Sequence, residues 1–192
     1  RNYFGSVQWE WAGYIPKGHV TLIAGETGIG KSYLLDALIA AHLGCLLYPD
    51  GRSIGRGQHV LFIETEEMRG AHAERLERLN VPLDTVILPG DNPVDLPSLE
   101  QDAQKIEQIA RDNGVTLITL DSLSGGHALD ENSSEMRGVL QILARMAGGL
   151  GVPLLVVHHA RKRNAFEGAQ MSLDRIRGSS AIAQFCRAVF GL

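Results

Sequence analysis

Residues 25–32 read GETGIGKS and match the pattern GxxxxGK[ST] at every fixed position. The glycines let the backbone turn tightly, so that its N–H groups point inward and can hold phosphate oxygens. Lys31 can reach the β- and γ-phosphates, and the Ser32 hydroxyl can ligate Mg²⁺. An apolar strand pattern precedes the segment and an apolar helix pattern follows it, which argues against a simple glycine-rich turn with an exposed lysine. We therefore predict a nucleotide-binding site made of Gly25, Glu26, Thr27, Gly28, Ile29, Gly30, Lys31, Ser32 and Tyr33.

Two other predicted strands end in the carboxylates that hydrolysis at such a site requires. Residues 117–121 read LITLD, an apolar strand that ends at Asp121, and this Walker B pattern predicts a carboxylate that holds Mg²⁺ through water. Residues 60–67 read VLFIETEE, so another strand runs into Glu64, Glu66 and Glu67. At the carboxyl edge of a parallel sheet, one of these groups can orient the attacking water. The alternatives are an aspartate that caps a turn and a solvated acidic loop.

The rest of the chain alternates short apolar runs with helical patterns. Strands are predicted at residues 19–24, 59–64, 85–88, 115–121, 152–159 and 187–192, and helices at 31–43, 69–79, 98–112 and 134–150. Most strand runs are apolar throughout, as in parallel strands that are covered on both faces. The pattern predicts an α/β domain with a mainly parallel twisted sheet and helices on both faces.

Composition excludes several classes of protein. The 192 residues carry a net charge of -4, and 44% of them are hydrophobic, which argues against disorder and against a globally basic nucleic-acid binder. No apolar run reaches the roughly 18 residues of a membrane span. Cys45 and Cys186 are too few for a four-ligand zinc site and are expected to be reduced packing residues of a cytoplasmic protein. The first residue is Arg1, so we expect a fragment of a longer chain.

The order of these motifs resembles that of the RecA-like P-loop ATPases. Among them it resembles most the plasmid RepA-type hexameric replicative helicases and the related phage and plasmid AAA-family ATPases, from about Tyr14 to the end of the chain. The resemblance implies a single RecA-like ATPase domain over residues 1–192, with a lead-in at 1–18. It also implies ATP and Mg²⁺ as cofactors, a homo-oligomer in the form of a hexameric ring, and single-stranded DNA as the track of a replicative helicase.

The resemblance assigns roles to individual residues. A glutamate after the second strand activates water in that family, which implies Glu66 here, with Glu67 as the neighbouring acid. A polar residue at a later strand end senses the γ-phosphate, which implies His159 in VVHHARK, with His158 as the alternate. The segment RGSSAI at 177–182 implies Arg177 as an arginine finger that enters the adjacent subunit's site. Strand-end histidines and an exposed arginine without these roles are the alternatives.

A basic segment at residues 160–178 is expected to be mobile and to contact DNA. In RecA-like motors the corresponding loop lines a channel that grips single-stranded DNA, and backbone contact requires basic side chains. Phe166 is the aromatic residue there that could stack on a base. The alternative is a solvated loop whose basic residues serve ATP chemistry. The proposed DNA contacts are Arg161, Lys162, Arg163 and Arg175.

Two other functions stay open at this point. One is a nucleotide-gated assembly, recombination or regulatory ATPase of the RadA or KaiC type, without unwinding activity. The chain lacks the cysteines of the zinc module that the RadA branch carries. The other is a kinase, for which the sequence offers no distinct proton acceptor for a substrate hydroxyl. The choice of ATP over GTP rests on the resemblance alone.

Overall fold

The structure is a computed structural model that describes residues 6–53, 57–90, 99–125, 136–161, 172–176 and 181–192. Its strands are β1 (Trp9–Trp11), β2 (Ile15–Pro16), β3 (Val20–Gly25), β4 (His59–Glu64), β5 (Val86–Ile87), β6 (Val115–Asp121), β7 (Leu154–His159) and β8 (Ala188–Gly191). Its α-helices are α1 (Lys31–His42), α2 (Arg69–Arg78), α3 (Leu99–Asp112), α4 (Met136–Leu150) and α5 (Ala181–Phe185). Six strands form one sheet in the order β5-β4-β6-β7-β3-β8. Every pairing in it is parallel, which confirms the predicted sheet.

Helices cover both faces of this sheet. On one face, Leu35 and Ile39 of α1 and Leu76 of α2 pack in a buried cluster with Ile23 and Phe62. On the other face, α3, α4 and α5 cover a second buried cluster, which contains Leu22 of β3 and Leu61 of β4. These residues are next in the chain to Ile23 and Phe62 of the first cluster. Successive strand residues point to opposite faces, so strands that are buried on both sides need continuous apolar runs. The two clusters explain why the strands lack the alternation of a half-exposed sheet.

The strand boundaries agree with the prediction where the apolar runs are uninterrupted. β4 and β6 have the predicted limits, and β3 lies one residue later than expected. The predicted strand 85–88 shortens to β5 because Leu83–Thr85 form a 3-10 turn. β7 begins at Leu154, directly after Pro153, which has no backbone N–H to donate to a neighbouring strand.

The segment before the sheet forms a small hairpin that the sequence did not predict. β1 pairs antiparallel with β2, and Trp11 is 5% exposed. Its ring stacks 4.3 Å from Tyr14 and lies 6.0 Å from Phe190 of β8 (distances between ring centroids). The indole Nε1 donates to Asp50 Oδ2 at 2.9 Å. Trp11 therefore belongs to the core, whereas Trp9 is 41% exposed.

The register of the sheet gathers the ends of four strands at one edge. Gly25, where the P-loop begins, pairs with His159 between β3 and β7. Glu64 pairs with Asp121 between β4 and β6. The acidic strand ends, the histidine and the P-loop thus meet at the carboxyl edge, as expected for ligand sites in open parallel sheets. Among the described residues, no helix has the length and apolar character needed to cross a membrane.

Candidate functional site

Two glycines of the predicted P-loop have the left-handed backbone conformation that a tight turn requires. Gly28 and Gly30 have φ angles of 82° and 102°, in the left-handed region that glycine adopts without strain. A Cβ atom at either position would meet no atom within 4 Å, so the loop faces open space here. Gly30 precedes the first turn of α1, whose free N–H groups and positive end attract anions. This geometry supports the predicted phosphate cradle.

The side chain of Lys31 lies at the base of this cradle. It is 6% exposed, and its Nζ donates to the carbonyl oxygen of Glu26 at 3.0 Å. Burial lowers the pKa of Lys31 from its usual value, although the negative charges of Asp121 and Glu66 oppose the shift. An ammonium group that is fixed at the loop by a backbone carbonyl is well placed to bind the negative oxygens of a phosphate group.

One cavity brings together the residues that the sequence predicts for phosphate chemistry. Lys31 and Ser32 line it from the P-loop, Asp121 from the end of β6, Glu66 from the segment after β4, and His159 from the end of β7. These residues come from four separate parts of the chain, and the sheet register places them around the same space. Residues proposed for nucleotide, metal and water therefore share one site, although Gly25, Glu26 and Ile29 of the predicted nucleotide-binding set do not line it.

Glu66 is the acid of the TEE segment that faces this cavity. The Ser122 hydroxyl donates to Glu66 Oε1 at 2.6 Å, and His159 Nε2 lies 3.4 Å from the same oxygen. Glu64 is 1% exposed, and one of its oxygens accepts the backbone N–H of Glu66 at 2.7 Å, so it serves to shape the turn. Glu67 is exposed and does not line the cavity. The arrangement favours Glu66 as the group that accepts a proton from water.

Ser122 was not identified from the sequence, although it directly follows the Walker B aspartate. Its side chain is fully buried, and its backbone N–H donates to Thr65 Oγ1 at 2.9 Å. Thr65 Oγ1 in turn donates to the Ser122 carbonyl oxygen at 2.8 Å. The hydrogen bonds tie the segment after β4 to the segment after β6, which fixes Glu66 relative to Asp121. The signal available in the sequence was a hydroxyl residue at the end of each strand.

His159 connects the P-loop to Glu66. Its Nδ1 lies 3.4 Å from Lys31 Nζ and 3.4 Å from Thr27 Oγ1, while its Nε2 faces Glu66. The neighbouring His158 is fully buried and does not line the cavity, because successive strand residues point to opposite faces. Of the two histidines, His159 is therefore the one placed to respond to a terminal phosphate.

Asp121 is held by a buried network that the sequence analysis missed. His72 of α2 places Nε2 3.2 Å from Asp121 Oδ2 and Nδ1 2.7 Å from Asp36 Oδ1. Arg75 Nε donates to the other oxygen of Asp36 at 2.5 Å. Burial alone would lower the pKa of His72, but hydrogen bonds to Asp121 and Asp36, together with their charges, raise it to about 9. The one available signal was Asp36, the one acidic residue of α1.

The donor set fits Mg²⁺ held chiefly by a nucleotide. Ser32 and Asp121 supply a hydroxyl and a carboxylate to the same cavity. In the described part of the chain, no group of three or more His, Cys, Asp or Glu residues could form a metal cage. Mg²⁺ in phosphate-transfer sites uses one or two protein ligands, with phosphate oxygens and waters for the rest. The residues present therefore match that kind of site.

The structure places Arg175, a predicted DNA contact, against the P-loop. Its side chain is 5% exposed, and its guanidinium pairs with the carboxylate of Glu26 in the P-loop. Its backbone carbonyl accepts the N–H of Arg161 at 2.8 Å, which joins the two ends of the basic segment. In this position the guanidinium is buried against the P-loop and is not presented to solvent, so the DNA contacts proposed below do not include Arg175. Outside the described residues lie Lys162, Arg163, Phe166 and Arg177.

A family model described as an AAA domain matches residues 4–165, and the chain belongs to this family. It is 30% identical over 165 residues to the DNA repair protein RadA of Halalkalibacterium halodurans, and the aligned region covers 83% of this chain and 32% of that protein. It is 28% identical over 170 residues to the DNA repair protein RadA of Mycolicibacterium smegmatis, over 85% of this chain and 33% of that protein. The chain thus spans about a third of the length of these relatives.

A solved structure supports the same fold. A KaiC-like protein of Pyrococcus horikoshii superimposes with a TM-score of 0.64 at 17% identity, over 97% of this chain and 81% of that one. The fold is that of a RecA-like P-loop ATPase, as the order of motifs predicted. These relatives carry the names RadA and KaiC-like, and the predicted closeness to RepA-type helicases is not confirmed.

Proposed function

We propose that this domain is a Mg²⁺-dependent ATP hydrolase. The observation that carries the proposal is the cavity that Lys31, Ser32, Asp121, Glu66 and His159 line together. A P-loop alone only binds phosphate, whereas hydrolysis also needs a metal-holding carboxylate and a group that prepares water. Mg²⁺, when bound, neutralises the charge that develops on the phosphate oxygens.

Each residue has a task that follows from its position. Lys31 stabilises phosphate charge, and Ser32 and Asp121 hold the metal ion. Glu66 orients the attacking water and accepts its proton, and Ser122 keeps the carboxylate oriented through the 2.6 Å hydrogen bond. His159 responds to the γ-phosphate, since it contacts both Lys31 and Glu66.

We further propose that the domain works as an oligomer on DNA. The motif resemblance suggests Arg177 as an arginine finger for the adjacent subunit, and an arginine supplied in trans requires neighbouring subunits. Arg161, Lys162 and Arg163 remain the proposed contacts to single-stranded DNA. The names of the RadA relatives, which are DNA repair proteins, support a role on DNA.

Two roles on DNA follow from different observations. The order of motifs suggests the motor of a hexameric replicative helicase. The RadA relatives and the KaiC-like fold favour a nucleotide-gated recombination or regulatory ATPase that does not unwind DNA. Both roles are compatible with the fold, and the assays that follow distinguish them.

Measuring ATP hydrolysis with and without single-stranded DNA tests both the proposed hydrolase activity and the proposed role on DNA. Lys31→Ala is the blank, because it removes the ammonium group that binds phosphate. Turnover above this blank supports the hydrolase, and turnover equal to it contradicts the hydrolase. Stimulation by single-stranded DNA supports the role on DNA, and strand separation in an unwinding assay would then favour the helicase. Hydrolysis that DNA leaves unchanged would favour an assembly ATPase.

A further inference from the structure

The P-loop carries an acidic residue at the place where it binds a polyanion. Glu26 is the acid of the segment 25–32. Its carbonyl oxygen accepts the Lys31 ammonium at 3.0 Å, so the residue lies beside the group that binds phosphate. A carboxylate near a triphosphate weakens binding, because like charges repel at short range. The Glu26 side chain therefore needs a counter-charge, or a direction away from the cavity.

The structure gives the Glu26 side chain both. Glu26 does not line the nucleotide cavity, although its neighbours Thr27 and Gly28 do. Its carboxylate pairs instead with the guanidinium of Arg175, whose side chain is 6% exposed. The same guanidinium donates to the carbonyl oxygen of Arg161 at 3.4 Å. Because a buried guanidinium without such partners is costly, the pairing stabilises this arrangement of both side chains.

Backbone contacts hold the segment of Arg175 against the P-loop. The N–H of Ala160, the residue after β7, donates to the carbonyl oxygen of Gly25 at 2.9 Å. Ala160 also pairs antiparallel with Ile176, and the N–H of Arg161 donates to the carbonyl oxygen of Arg175 at 2.8 Å. Since these contacts fix the backbone, the guanidinium is preorganised and the carboxylate is drawn towards it.

We propose that Arg175 is a positioning residue that sets the affinity for polyphosphate, by neutralising Glu26 and holding its carboxylate outside the cavity. The inference rests on the proposed function, since it concerns the same phosphate site. Together the two side chains are neutral. Loss of Arg175 leaves one negative charge beside the cradle, loss of the Glu26 charge leaves one positive charge, and loss of both restores neutrality. The affinity follows this sum, and the effect grows with the charge of the ligand.

Calorimetric titration with the non-hydrolysable analogue AMP-PNP and with ADP, each with Mg²⁺, tests the proposal. The Arg175→Met variant should bind AMP-PNP about 10-fold more weakly than the unchanged chain. The complex of Mg²⁺ with ADP carries about half the charge of that with AMP-PNP, so its loss should be only about 3-fold. The double variant Glu26→Gln/Arg175→Met should bind AMP-PNP within about 2-fold of the unchanged chain. This recovery would not follow if Arg175 served packing alone.

Two further variants complete the experiment. Arg111→Met is the matched control, since it removes an arginine that pairs with Glu107 on α3, and it should leave both affinities unchanged. Glu26→Gln keeps Arg175 in place, so it provides the test if Arg175→Met does not fold. It should bind AMP-PNP about 3-fold or more tightly than the unchanged chain, because a positive charge then remains beside the cradle.

Several results would overturn the role of Arg175. One is unchanged AMP-PNP affinity in Arg175→Met, and another is an equal loss in Arg175→Met and the double variant. Equal fold-losses for AMP-PNP and ADP would show that the ligand's charge is not what the change acts on. Affinity of Glu26→Gln equal to or below that of the unchanged chain would have the same consequence. If the unchanged chain bound neither nucleotide, the proposed hydrolase itself would fail.

Discussion

Replacing His72 with glutamine should change how the stability of the domain depends on pH. His72 lies between Asp36 and Asp121 and is 2% exposed, with Arg75 and the ring of Phe62 also packed against it. Its pKa is raised from 6.5 to about 9, because the two carboxylates outweigh the effect of burial. In the unfolded chain the pKa returns to about 6.5.

The sign of the effect follows from the raised pKa. The folded state holds the proton more tightly than the unfolded state, so the stabilisation is complete below pH 6.5 and is lost as the pH rises through about 9. Each unit of difference between the folded and unfolded pKa values of His72 corresponds to about 1.4 kcal/mol of stability, so the whole difference corresponds to about 3 kcal/mol. The unchanged protein should therefore lose about 3 kcal/mol of its free energy of unfolding between about pH 6 and about pH 9 on account of His72.

Urea unfolding at a series of pH values, without nucleotide or Mg²⁺, measures this loss. The pH-dependent loss should be smaller in His72→Gln by about 3 kcal/mol, since glutamine does not titrate. His19→Gln is a matched control, because His19 is exposed and its ring makes a hydrogen bond with the backbone carbonyl of Lys17 and no ion pair within the described part of the chain. Parallel stability curves for His72→Gln and the unchanged chain would refute the reasoning.

Three further changes test other parts of the structure. Ser122→Ala removes the hydroxyl that orients Glu66. We expect kcat to fall about 10-fold while the Kd for ATP stays unchanged. A parallel fall in ATP affinity would contradict the assignment. A double-mutant cycle of urea unfolding with Glu26→Gln and Arg175→Met should give a coupling energy of about 1–2 kcal/mol, because Glu26 pairs with the buried guanidinium of Arg175. Additive losses of unfolding free energy in the two variants would argue against this pair. Trp11→Ala should cost about 3–5 kcal/mol of unfolding free energy, against about 0.5 kcal/mol or less for the exposed Trp9→Ala, and similar losses would show that the hairpin does not pack as described.

The fold and the phosphate site were predictable because local patterns determine them. The apolar runs that became β4 and β6 are uninterrupted, and GETGIGKS specifies its own backbone conformation through glycine. Since parallel strands place their carboxyl ends at one edge, the meeting of Lys31, Asp121 and Glu66 followed from the order of elements.

The contacts that depend on packing between distant segments were not predictable. Whether Asp36 meets His72 depends on how α1 and α2 pack, and residues 36 positions apart carry no periodic signal of that contact. Arg175 is basic in a basic segment, which favoured DNA contact, yet its burial against Glu26 is a tertiary effect. The hairpin β1–β2 was missed because two short strands give too few residues for an alternating pattern.

The most direct test of the central claim is phosphate release from ATP by Glu66→Gln, compared with the unchanged chain. Glutamine keeps the shape of the side chain but cannot take a proton from water, and loss of a general base costs roughly 10²- to 10⁴-fold in rate. Glu74→Gln, which changes an exposed acid on α2, is the control and should keep full turnover. We predict that Glu66→Gln binds ATP with unchanged affinity and releases phosphate at least about 100-fold more slowly. Turnover by Glu66→Gln equal to that of the unchanged chain would contradict the account of this site.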